Sequence, residues 1–73
     1  MKYFLVEILL SYDGLEWEEH AVIASSSRSM GMKKAQSQDF THSDSGETQK
    51  IYGFNAISKT DYDVLKWYLI NIL

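Results

Sequence analysis

The sequence predicts a small α+β domain of order β-β-α-β-α, with a three-stranded antiparallel sheet (order 2-1-3) and two helices packed on one face. Three observations carry this. From Lys2 to Ser11, the even positions Phe4, Val6, Ile8 and Leu10 are all apolar, and alternate residues of a strand share a face. Asp13-Gly14 then separates two extended runs, a strong hairpin signal. From Ser58 onward, apolar residues recur at helical spacing.

The first strand belongs at the centre of the sheet. Its odd face, Tyr3, Leu5, Glu7 and Leu9, is only partly polar, so both faces call for cover. In the second strand, Leu15 to Ala24, the residues Leu15, Trp17, Glu19, Ala21 and Ile23 are expected to face the core. Glu16, Glu18, His20, Val22 and Ala24 take the other side. Charge on such a strand suits a sheet edge. Ser25-Ser26-Ser27 offers N-caps for a helix of about Ser27 to Phe40, because a serine hydroxyl accepts from a first-turn N–H. Gly31 and Ala35, four apart, would let that helix lie close to the sheet.

Thr41 to Gln49 reads as a polar loop. A third strand, Lys50 to Ile57, alternates Ile51, Gly53, Asn55 and Ile57 against Tyr52, Phe54 and Ala56. Ser58, with Asp61 three residues on, resembles a capping box. The last helix is expected to run on to the final residues, with Tyr62, Leu65, Leu69, Ile72 and Leu73 as its apolar stripe. Trp67 and Ile70 fall outside that stripe. The second face of the sheet is left bare or used for association.

The chain of 73 residues has room for one domain and one small core, with a stability of a few kcal/mol. A 45% hydrophobic and 14% aromatic composition is that of a folded globule. The absence of cysteine removes disulfides and thiolate metal sites and fits a reducing compartment. No run approaches the ~20 apolar residues of a membrane span, and the N-terminal pattern is that of a strand, not a signal peptide. The expected location is the cytoplasm. The net charge of −3 is unevenly spread. Glu7, Asp13, Glu16, Glu18 and Glu19 precede the basic group Arg28, Lys33 and Lys34. That balance gives no electrostatic case for nucleic-acid binding along the whole chain.

No catalytic residue, cofactor or metal ligand set is assigned. The glycines form neither a phosphate loop nor a dinucleotide fingerprint, and no G-x-S-x-G occurs. His42, Asp44 and Glu47 offer a nitrogen and two carboxylates, but the plain reading is a solvated loop. Glu16 and Glu18 repeat on one strand face about 6.8 Å apart, with Glu19 on the other. They read either as an acidic contact surface or as edge protection. Arg28, Lys33 and Lys34 read either as a contact segment or as a solvated helix face. Tryptophan is enriched at interface hot spots, so Trp67, with Ile70, is the candidate for self-association into a homodimer.

Lys2-Tyr3-Phe4-Leu5-Val6-Glu7, the run His20 to Ser26 leading into a helix, and Ile57 to Leu69 resemble tiny proteins of phages and mobile elements. Among these are anti-CRISPR proteins that inhibit type I surveillance complexes. The resemblance implies a non-enzymatic protein-binding inhibitor acting on a host protein complex in the host cytoplasm. It carries over no binding residue. Glu16, Glu18, Glu19, Arg28, Lys33 and Lys34 are therefore the candidate protein contacts. The alternative is a nucleic-acid-associated regulator using Arg28, Lys33 and Lys34.

Overall fold

A long hairpin sets the axis of the molecule. In the computed structural model, which describes residues 1–41 and 46–73, β1 (Lys2–Tyr12) and β2 (Leu15–Ser25) pair antiparallel from Lys2↔Ser25 to Tyr12↔Leu15. Asp13 and Gly14 take φ of 50° and 82°, as the type I′ turn of a two-residue hairpin requires. Then follow α1 (Arg28–Gln36), β3 (Thr48–Ile57), α2 (Lys59–Leu65) and β4 (Ile70–Ile72).

Among the described residues the sheet has four strands, in the order β3-β1-β2-β4. β1 is central between β2 and β3, as expected. The three-stranded, wholly antiparallel sheet is corrected: β4 joins the outer edge of β2 in parallel, with Ile23 opposite Ile72. The last helix accordingly stops at Leu65 and does not continue through Leu73. Pairing gives the backbone of β2 a partner and places Ile72 in the core. A longer helix would have left that apolar edge open, and Ile-Asn-Ile favours helix poorly.

The second correction concerns the helices, which lie on opposite faces. α1 sits over Phe4, Phe54 and Ser25, which surround Gly31. α2 lies against the odd face, where Tyr62 meets Tyr3 with ring centroids 4.8 Å apart. The Tyr62 hydroxyl also donates to Asn71, the residue paired with Val22. Both faces of β1 carry apolar side chains, so each attracts its own cover.

The core lies under α1. Phe4, Val6, Ile8, Leu10, Ala21, Ile23, Ala35, Phe54 and Ile72 form it, with Trp17, Met32, Phe40 and Ile51 packed at its rim. Leu15, expected to join it, is exposed beside the turn. Ser27 caps α1, its Oγ accepting from Met30 N at 3.2 Å, and Ser58 caps α2 in the same way through Asp61 N at 3.0 Å. α1 is shorter than expected and ends at Gln36, with Ser37 as its C-cap.

β3 starts at Thr48, two residues before the expected start, and its alternation is broken. The register passes from Glu7↔Gly53 to Ile8↔Ile51, so Tyr52 is the extra residue of a bulge. Ile51 and Phe54 thereby both reach the α1 face, which strict alternation forbids.

Candidate functional site

α2 has seven residues and covers only the end of its face, around Tyr3 and Val22. Beyond it the face is open. There Glu7 of β1 stands opposite His20 of β2 and Gly53 of β3. The absence of a side chain at Gly53 is what admits Glu7: a Cβ there would lie 2.8 Å from Glu7 Oε1. The carboxylate lies over the β3 backbone, where Asn55 Nδ2 donates to Glu7 Oε1 at 3.1 Å. His20 Nε2 is 4.0 Å from Glu7 Oε2, an ion pair only when the imidazole is protonated.

The bulge brings Tyr52 to the same face, where its phenol reaches the carboxylates of Glu18 and Glu7. Desolvation on this crowded surface, then hydrogen bonding and charge repulsion from both carboxylates, pushes the phenol up to about 12. A neutral phenol thus stands beside two carboxylates, all three partly open to solvent. Lys50, opposite Leu9, borders the group on β3. Such a surface accepts hydrogen bonds and positive charge from a partner, and the tyrosine ring adds apolar area.

The expected contact residues divide as follows. Glu16 and Glu18 share this open face, Glu16 opposite Ser11. Glu19 stands opposite Ile8 on the α1 side. The basic trio is split. Arg28 Nη2 donates to the Phe54 carbonyl at 2.6 Å, and its guanidinium lies over the rings of Phe54 and Phe4, 5.2 and 5.8 Å from their centroids. It therefore fastens the start of α1 to β3. Lys33 and Lys34 are exposed in the last turn of α1.

Trp67 is 80% exposed, with Tyr68 beside it at 81% and Ile70 at 42%. Trp67 follows the end of α2 and Ile70 lies in β4, so the two do not share the helical surface expected of them. His42 and Asp44 of the considered loop cluster lie outside the described residues. Among the described residues, no three His, Cys, Asp or Glu side chains stand together to hold a cation.

Sequence reasoning missed Glu7, His20, Tyr52 and Asn55 as members of one cluster. The available signal was Gly53 inside a strand pattern, which marks a bulge or a close approach. Comparison with protein-family models, curated proteins and solved structures returns no match to this chain.

Proposed function

We propose that this chain is a small non-enzymatic protein-binding inhibitor that docks its open acidic face on a basic surface of a host protein complex. The observation supporting this most is the part of the sheet face that α2 leaves uncovered, where Glu7, bonded to Asn55, and Glu18 stand beside Tyr52. A carboxylate already held in place, as Glu7 is by Asn55, loses little freedom on binding, and charge complementarity speeds encounter and sets orientation. The resemblance to phage and mobile-element inhibitors makes a CRISPR surveillance complex the first partner to try. A homodimer, if formed, would use the exposed Trp67 and Ile70.

The test is capture of the partner by tagged protein from host lysate, with the wild type and a Glu16→Lys/Glu18→Lys variant compared side by side. A protein complex bound in fixed ratio, with affinity at least about tenfold lower for the variant, is expected. Recovery of nucleic acid alone, lost as salt is raised, would overturn the reading in favour of a nucleic-acid regulator.

A further inference from the structure

On the other side of the molecule, α1 and the end of β2 border an open groove of about 550 Å3. β4 pairs with β2 only as far as Ile23, so the edge at Ala24 and Ser25 is not covered by it. Met1, Ala24 and Met30 give the groove apolar walls, and Lys33 and Lys34 stand along it. Neither lysine has an ion-pair partner among the described residues. Two unneutralised ammonium groups beside an apolar trough define an amphiphilic environment.

The serines of the groove sharpen this. Ser26 Oγ donates to Met30 Sδ at 3.2 Å, and Ser37 Oγ donates to the Lys34 carbonyl at 2.8 Å. Ser25 is different. It is 9% exposed, yet its hydroxyl has no hydrogen-bond partner among the described residues. Its Cβ packs under α1 near Gly31, so the side chain is held where it lines the groove. No buried side-chain polar atom among the described residues is left unsatisfied, so this hydroxyl opens to solvent in the groove, where it can donate to a bound acceptor.

We infer that this groove is a binding site for a small amphiphilic anion. Its acid group would accept from Lys33, Lys34 and Ser25, and its apolar body would lie on Met1, Ala24 and Met30. The volume lies within the range of small-molecule sites, which combine apolar walls with a few convergent polar groups. The site is separate from the acidic face, and either can fail without the other.

Dodecyl phosphate below its micellar concentration is the probe, with dodecyltrimethylammonium as the same chain carrying the opposite charge. Titration followed by NMR is expected to show one-to-one binding of the phosphate, with shifts at Ser25 and the Met30 methyl. Lys33→Gln/Lys34→Gln is expected to weaken it about tenfold, with only a small fall in the unfolding midpoint, from the loss of two charges in the last turn of α1. Inorganic phosphate alone should bind far more weakly, since it forgoes the apolar walls. No binding, equal binding of the two amphiphiles, or indifference to the double substitution would each overturn the inference. Shifts on the Glu7 and Tyr52 face instead would do so as well.

Discussion

The two faces of the sheet are covered by helices in quite different ways. On one, α1 presents Gly31 and Ala35, both buried, so its backbone comes close enough for Phe4 and Phe54 to stack beneath it with centroids 4.7 Å apart. On the other, no residue of α2 is fully buried. Tyr62 leans on Tyr3, and much of what surrounds that contact is polar: the Tyr62–Asn71 hydrogen bond, and Lys66 over the Tyr62 ring. Small residues bring a helix down onto a sheet, while a bulky face holds it off. The close face became the core and the loose one remained a surface with groups free for use.

The largest expected effect tests that contrast directly. Ile23→Ala, at a fully buried site under α1, should cost about 2–5 kcal/mol and come near to unfolding so small a domain. Tyr62→Ala on the other face should cost about 1 kcal/mol. Urea denaturation of both variants decides, and equal losses would erase the distinction.

The two strand- and helix-embedded glycines sharpen it further. An alanine at Gly31 would bring a Cβ to 3.2 Å from the Phe54 ring and 3.3 Å from Ser25 Cβ, neither of which can yield easily. Against the helix-forming gain of alanine, a net loss of about 1 kcal/mol is expected. At Gly53 the nearest obstacle is the end of a flexible side chain, the Glu7 carboxylate, but Glu7 Cβ also lies 3.1 Å away and cannot swing aside. Gly53→Ala should lower the urea midpoint by no more than Gly31→Ala, since half of the obstacle can move, while displacing Glu7 from Asn55, seen as a shift of the Asn55 side-chain amide in NMR spectra.

The smallest effect lies in a titration. Tyr52 should ionise at about 12, against an ordinary value of about 10, in the difference between wild-type and Tyr52→Phe phenolate absorbance. Because folding raises this pKa, the protonated phenol contributes stability that is complete below about 10. That contribution fades as pH rises through about 12. Glu18→Gln should bring the titration back towards its ordinary value. A titration already near 10 in the wild type would dissolve the cluster.

What was legible in the sequence was local. Asp13-Gly14 specified the turn, Ser27 and Ser58 specified the caps, and the even positions of β1 specified the core face. Those signals act over a few residues. The fate of Ile70 to Ile72 was not local: helical spacing continued to the end, but an unfilled edge on β2 competed for the segment and won. The bulge at Tyr52 likewise depends on how Ile51 and Phe54 must both meet the core. Of the candidate site, Glu16 and Glu18 were recognisable from spacing on one strand. Glu7, Tyr52 and Asn55 join them only across strands, once register is known.

The parallel pairing of β4 bears on the order in which the chain assembles. β1 and β2 can zip from a two-residue turn, a contact between near neighbours that closes fast. Ile72 must return to Ile23 across most of the chain, and so long a closure comes after the hairpin exists to receive it. Loss of apolar volume at Ile72 should therefore speed unfolding and leave the folding rate nearly untouched, whereas Gly14→Ala, which strains the turn, should slow folding itself. Stopped-flow measurements in urea separate the two. On this account the hairpin sets how quickly the protein forms, and three residues at the far edge set how long it lasts.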